Sequence, residues 1–383
     1  MASLEEFLQE RQRQGLLRKL KPAAKRLGGK IYFENKEYVD FSSNDYLGLS
    51  IHPELKKAAI EGIDKFGVAS CASRLLSGDS ELFHELEDAV ASFKGKKAAL
   101  VFNSGYQANV GIISSLFTRG DCIFSDRLNH ASIVDGILLS QARIFRFQHN
   151  DPGHLEALLK KERDKFKAAL IITESIFSMD GDRAPLKELV RLKEKYNCRM
   201  MVDEAHATGV FGESGSGVVE EEGLSAQVDL IMGTFSKALS GFGAYLATSR
   251  NIVDYLVNTC RSFIYSTALP PAVIAGNLAS LKLIKDEPQR RKVLLSSAKM
   301  LRDKLGAKGF YLKGSSQIIP LILGDNLRAL EFAKKIQEQG YWVLPVRPPT
   351  VPAKEARLRL SLSYYHDEET LNKLIDVISK IRI

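Results

Sequence analysis

Seven short apolar runs separated by helix-like segments constrain this chain more than any other feature: Ala98 to Phe102, Cys122 to Ser125, Arg143 to Phe147, Ala168 to Thr173, Arg199 to Val202, Val228 to Met232 and Gly243 to Ala247. Most are continuous rather than alternating. An alternating strand has one wet face, whereas a continuous apolar strand needs cover on both. The helical patterns between the runs supply that cover and act as crossover connections. The runs therefore predict an α/β fold around a seven-stranded, mainly parallel sheet. The last run follows its predecessor closely, which suits an antiparallel placement.

The flanking regions have a different texture. The segment to about Gly28 reads as a helix. Ile31-Tyr32-Phe33 and Tyr38-Val39-Asp40-Phe41 bracket a polar turn and read as a hairpin. Ser80 is placed to cap a helix carrying Leu82, Phe83, Leu86, Ala89, Val90 and Phe93, and Gly95 to end it. Ala272 to Lys285 reads as a long helix. Beyond about residue 285, strands are expected at Gln317 to Leu323, Tyr341 to Leu344 and Arg357 to Leu362, with helices at Leu327 to Gln339 and Glu368 to Ile381. The expected organisation is an N-terminal helical and hairpin segment over 1–45, a large domain over 46–284 and a smaller α+β domain over 285–383.

Composition narrows the functional classes. At 383 residues and 45% hydrophobic, the chain can bury a large core. No apolar stretch approaches the roughly 18 residues of a membrane span. Met1 to Leu20 is amphipathic, without the apolar centre of a secretory signal, so a cytoplasmic protein is expected, with no membrane partner. The net charge of +8 is spread along the chain, and no basic run is interleaved with aromatics, so nucleic acid is not an expected partner. Cys71, Cys122, Cys198 and Cys260 lack metal or redox spacing, and no metal is expected.

The predicted strand ends carry the polar residues. Asp203-Glu204-Ala205-His206 follows Arg199 to Val202, and open α/β sheets bind ligands at such ends. Alone, Asp203 reads equally as a helix cap or loop carboxylate. A metal role with His206 lacks a supporting ligand cluster. Lys237 lies in Thr234-Phe235-Ser236-Lys237-Ala238-Leu239-Ser240-Gly241, after another strand end. One lysine among 54 basic residues is by default a surface charge. Here Thr234 and Ser236 can donate to a phosphate, and Gly241 and Gly243 allow close backbone approach. At Asn103-Ser104-Gly105-Tyr106 the chain can open a helix whose first amides bind phosphate. Asn129-His130-Ala131-Ser132 and Glu174 to Asp182, with Ser178, follow further strand ends. Each signal is weak alone. Their convergence suits one anionic aromatic ligand that needs an amine and an acid, pyridoxal 5'-phosphate (PLP).

These segments, with Phe41-Ser42-Ser43-Asn44-Asp45-Tyr46-Leu47-Gly48-Leu49, Ile264-Tyr265-Ser266-Thr267, Arg347-Pro348-Pro349-Thr350-Val351-Pro352 and Arg357-Leu358-Arg359-Leu360, resemble the α-oxoamine synthases of the fold-type I PLP superfamily over nearly the whole chain. The resemblance implies a PLP-dependent acyltransferase. In it Lys237 would bind the cofactor and act as base, Asp203 would pair with the ring nitrogen, and His130 would stack on the ring. His206 would reach the ring's phenolic oxygen, and Ser178 would contact the cofactor. Gly105, Tyr106, Thr234 and Ser236 would hold the phosphate. Ser266 and Thr267 would reach the neighbouring subunit's cofactor, which implies a homodimer. Arg359, assisted by Asn44, would clamp the amino-acid carboxylate, and Arg18 and Thr350 would lie near the acyl substrate. The Arg347 to Pro352 run points to family members that condense L-alanine with pimeloyl-CoA or pimeloyl-acyl carrier protein in biotin synthesis.

The alternatives are family members that take glycine or serine with other acyl thioesters, and a lyase or aldolase on the same fold. The chain departs from the family at Ser70-Cys71-Ala72-Ser73-Arg74, where many relatives have glycines, and at Ala207, where Gly or Ser is common.

Overall fold

All seven runs pair into one sheet in the computed structural model, which describes residues 3–381; residues 1–2 and 382–383, the outer tips of the expected first and last segments, lie outside it. The strands are β1 (Ala98–Phe102), β2 (Cys122–Asp126), β3 (Arg143–Phe147), β4 (Ala169–Glu174), β5 (Arg199–Asp203), β6 (Leu230–Thr234) and β7 (Ala244–Thr248), in the order β1-β7-β6-β5-β4-β2-β3. Neighbours from β6 to β3 are parallel, and β7 runs antiparallel to both β6 and β1. Every residue of β1, β2, β4, β6 and β7 is buried, as continuous apolar runs require. The edge strand β3 exposes Arg143 and Arg146, charges that discourage pairing with another chain. β6 starts later than expected because Val228 closes the preceding turn, donating its N–H to Leu224 O at 3.1 Å.

The chain divides into two compact units. The larger comprises Leu49–Phe177 and Arg183–Arg291 and contains this sheet. Its helix Glu81–Lys94 ends at Gly95 in the left-handed conformation, as read from the sequence, although Ser80 makes no side-chain capping bond. The expected long helix spans Pro271–Asp286.

The smaller unit comprises Met1–Gly48, Ser178–Asp182 and Lys292–Ile383. Its N-terminal helix covers only Leu4–Arg13, held by a capping box between Ser3 and Glu6. It stops well short of Gly28 because Gly15 adopts φ +64° against Leu327, where a Cβ would stand 2.8 Å from the leucine methyl. Lys25–Leu27 is instead a strand, antiparallel to Lys30–Phe33. The expected hairpin pairs Lys30–Phe33 with Lys36–Asp40. Tyr341–Trp342 joins that hairpin in parallel, with Tyr341 opposite Val39. A second sheet pairs Ile318–Gly324, Ala356–Ser361 and Pro345–Val346, all antiparallel. Helices Asn326–Glu338 and Glu368–Lys380 fall where expected, while the helix Gln289–Ala307 was not anticipated. Among the described residues, no helix is long and apolar enough to cross a membrane.

Candidate active site

In the larger unit, Lys237 lies in the turn that follows β6. The turn after β6 is tied by three backbone bonds, Ser240 N to Lys237 O at 2.8 Å, Gly241 N to Phe235 O at 2.8 Å and Phe235 N to Gly243 O at 3.0 Å. Two buried polar residues of helix Pro271–Asp286 hold it from behind. Asn277 accepts from Phe242 N and donates to Phe242 O, and Ser280 donates to Leu239 O. A Cβ at Gly241 would stand 1.9 Å from Asn277 Oδ1, so this approach requires glycine. The sequence contained a signal for Asn277, a polar residue in the apolar stripe of Ile274, Leu281 and Ile284.

Asp203 ends β5 and is buried. Its Oδ1 accepts the Ala205 amide at 2.9 Å, and its Oδ2 accepts Asn109 Nδ2 at 3.0 Å. His206 is also buried. Between them, Glu204 turns away from the strand ends. It receives Lys94 Nζ at 2.8 Å and the Val219 amide at 2.9 Å, which ties the loop down behind Asp203. Burial opposes the charge on Lys94, but Glu204 and Tyr245 outweigh it and hold the amine above its ordinary pKa.

The helix Gly105–Leu116 begins beside the end of β6. Ser104 Oγ accepts the Gln107 amide and Ser104 O that of Ala108. The two preceding amides, of Gly105 and Tyr106, form no hydrogen bond within the described residues. A Cβ at Gly105 would meet Thr234 Cγ2 at 2.8 Å. Thr234 Oγ1, buried at this contact, has no partner. Helix-end amides beside an orphaned hydroxyl form a donor set that a phosphate would complete, so the residues fit PLP. Tyr106 is exposed and bonds Asp135 through its hydroxyl, which raises the phenol's pKa. Ser236 is exposed.

His130 caps the helix Ala131–Ser140, its Nδ1 lying 2.7 Å from Ser132 Oγ. Burial lowers its pKa; Asp203 opposes the shift and Lys237 adds to it, so all three charges share one locality. Ser266 Oγ donates to Ser262 O at 2.7 Å and accepts from Gln107 at 2.8 Å; the Thr267 carbonyl accepts from Asn103. Within their own chain these two residues therefore lie beside the start of helix Gly105–Leu116.

In the smaller unit, Arg359 is 9% exposed and makes four hydrogen bonds. Nε donates to Ser178 O at 2.6 Å, Nη1 to Asn44 Oδ1 at 3.1 Å and to Ser361 Oγ, and Nη2 to Tyr46 Oη at 3.3 Å. One of its five N–H groups remains, so a bidentate grip on a carboxylate requires one neutral acceptor to yield. All four partners are uncharged. Arg18 Nη2 donates to Thr350 Oγ1 at 2.9 Å, which brings together the two residues expected near the acyl substrate.

A model of the aminotransferase class I and II family matches residues 36–378. The chain is 50% identical to the 8-amino-7-oxononanoate synthase of Geobacter sulfurreducens, over 98% of this chain and 96% of the relative. It is 46% identical to that of Geotalea daltonii, over 100% and 98%. Among solved structures, the serine palmitoyltransferase of S. paucimobilis with a bound PLP–myriocin aldimine aligns with a TM-score of 0.93 at 31% identity, over 98% of this chain and 96% of that one. The 8-amino-7-oxononanoate synthase of Francisella tularensis aligns with a TM-score of 0.78 at 32% identity, over 90% and 97%.

Proposed function

The chain belongs to the aminotransferase class I and II family and, within it, to the α-oxoamine synthases, and from that membership we propose the work of each residue in its active site. The enzyme is a PLP-dependent acyltransferase, an 8-amino-7-oxononanoate synthase of biotin biosynthesis. It joins L-alanine to a pimeloyl thioester and releases carbon dioxide and the free thiol. Bound PLP supplies an electron sink for negative charge at the amino-acid α-carbon.

The chain's own side chains do the rest. The Lys237 amine holds the cofactor, then takes the proton from the α-carbon and returns one after carbon dioxide has left. Asp203 keeps a proton on the ring nitrogen, because a buried carboxylate favours a cationic partner. The Gly105 and Tyr106 amides, with the Thr234 and Ser236 hydroxyls, hold the phosphate. His206 would hold the phenolic oxygen, His130 would cover the ring, and Ser178 would contact the cofactor. Arg359, with Asn44, orients the alanine carboxylate, and Arg18 and Thr350 meet the acyl thioester. Ser266 and Thr267 complete the phosphate site of a second subunit in a cytoplasmic homodimer.

The observation that most supports this reading is Arg359, a buried cation with no carboxylate in ion-pair range among the described residues. Such a charge is costly unless an anion joins it. The test is a product assay pairing alanine, glycine and serine with pimeloyl, acetyl and succinyl thioesters. Alanine with the pimeloyl thioester should release thiol fastest. Faster release from glycine with an acetyl or succinyl thioester would contradict the reading.

A further inference from the structure

We propose that Asn109 and Ser132 are positioning residues that hold the His130 imidazole neutral, with its single proton on Nε2. The bearing of this on catalysis rests on the reading that His130 covers the cofactor; the assignment itself rests on hydrogen-bond polarity.

The polarity is set at Asp203. An ionised carboxylate only accepts, so the Asn109 amide must turn its nitrogen toward Asp203 Oδ2, 3.0 Å away. The same nitrogen is 2.9 Å from Ser132 Oγ. Ser132 therefore accepts there and has its one hydroxyl proton left to give. The remaining neighbour of that oxygen is His130 Nδ1, at 2.7 Å. The Ser132 backbone N–H approaches the same nitrogen at 3.3 Å. Two donors meeting on Nδ1 leave it a lone pair and no proton. It also sits at the N-terminal end of helix Ala131–Ser140, where the helix dipole disfavours added positive charge.

The two side chains that set the polarity are shielded, whereas the His130 ring they act on is open to solvent on its outer side. Asn109 and Ser132 are each 1% exposed. Asn109 Oδ1 has no partner, so the amide's orientation satisfies Asp203 and Ser132 while leaving its own oxygen unpaired. The fold builds the relay through a close helix crossing. A Cβ at Gly136 would stand 2.9 Å from Asn109 O and 3.1 Å from Val110 Cα, so glycine lets helix Ala131–Ser140 settle against helix Gly105–Leu116.

The charged groups acting on the ring are Asp203 and Asp135, which favour its protonation, and Lys237, which opposes it together with burial. A cationic His130 would compete with the cofactor's ring nitrogen for Asp203. A neutral one leaves that carboxylate to the cofactor and presents Nε2–H as the ring's only donor.

The test is a two-bond 1H–15N correlation spectrum of the holoenzyme labelled with 15N-histidine, with His130 assigned by its loss in His130→Gln. The wild type should give the Nε2–H pattern near neutral pH. In Ser132→Ala, Nδ1 loses its strongest donor. Signals of the Nδ1–H form should then appear and the pKa should rise by roughly 0.5–1 unit. Ser132→Thr, which keeps the hydroxyl, should restore the wild-type pattern. A cationic or Nδ1–H ring in the wild type would overturn the proposal, and so would Ser132→Ala with unchanged tautomer and pKa. The wild-type spectrum decides the tautomer even if Ser132→Ala does not fold. It is read without turnover, so a neutral ring in a chain that fails the alanine assay would refute the proposed reaction and leave this assignment standing.

Discussion

Arg357 and Arg359 lie two residues apart on the strand Ala356–Ser361, on one face of the same sheet, and both are buried. Arg357 contacts Asp180 through Nη1, lies 2.7 Å from Glu355 Oε2 through Nη2, and donates to Met179 O. Arg359 meets only neutral acceptors. In sequence the two are interchangeable members of an alternating run. The segment Ser178–Asp182 separates them, offering a carboxylate to one and a backbone carbonyl to the other. One guanidinium is ion-paired within the fold, and the other has neutral partners only, which is why we propose it for the substrate carboxylate.

The largest expected effect falls on the structural member. Arg357→Met leaves the buried Asp180 carboxylate with Lys313, 3.5 Å away, as its remaining ion-pair partner among the described residues, and should cost about 3–4 kcal/mol of unfolding free energy, measured by denaturant titration. It should leave the alanine KM within about threefold. A loss below about 1 kcal/mol would erase the contrast with Arg359.

A second buried group in the smaller unit extends the comparison to a neutral side chain. His366 stacks on Phe41 with centroids 3.9 Å apart, accepts the Ser363 amide at 3.1 Å, and has no partner at Nε2. Burial pushes its pKa down to about 4. The unfolded chain takes up this proton first, at a pKa near 6.5. Stability is therefore complete above about 6.5 and falls as pH drops toward 4, by on the order of 3 kcal/mol. His366→Phe should flatten that part of the stability profile. An unchanged slope would remove His366 from the account.

Arg359→Lys keeps the charge and loses the fork. The alanine KM should rise roughly 10–100-fold, with unfolding free energy within about 1 kcal/mol of wild type. A stability loss as large as that of Arg357→Met would make both arginines structural. The smallest effect is expected at Cys71, which holds φ +54° in the loop where glycine is the family habit. Cys71→Gly should stabilise the chain by at most about 1 kcal/mol and leave the alanine KM unchanged; a clear loss of stability would show that the thiol packs usefully.

What was legible in the sequence follows from range. The central strands could be read because their burial on both faces leaves continuous apolar runs, and the residues at their ends came with them. Tyr341–Trp342 could not be placed, since its partner is Val39–Asp40, far away along the chain. Lys25–Leu27 is exposed throughout and carries no apolar signal. The helix Gln289–Ala307 buries a thin line, Leu294, Ala298, Leu301 and Leu305, in a charged segment. Gly15 was a visible stop signal for the first helix and was overrun. Lys237, Asp203 and Arg359 stand in recognisable company. Asn109 and Ser132 are small polar residues whose meaning lies in partners on other elements, and only the helix crossing at Gly136 brings them together.

On the proposed reading Lys237 moves the α-proton of alanine. That step is tested most directly by deuterium exchange at the alanine α-carbon, without thioester, in wild type and Lys237→Ala, each loaded with PLP and checked for it by absorbance. The wild type should exchange the α-proton readily. Lys237→Ala should retain PLP and exchange at least about 100-fold more slowly. An exchange rate in the variant equal to that of the wild type would contradict the account.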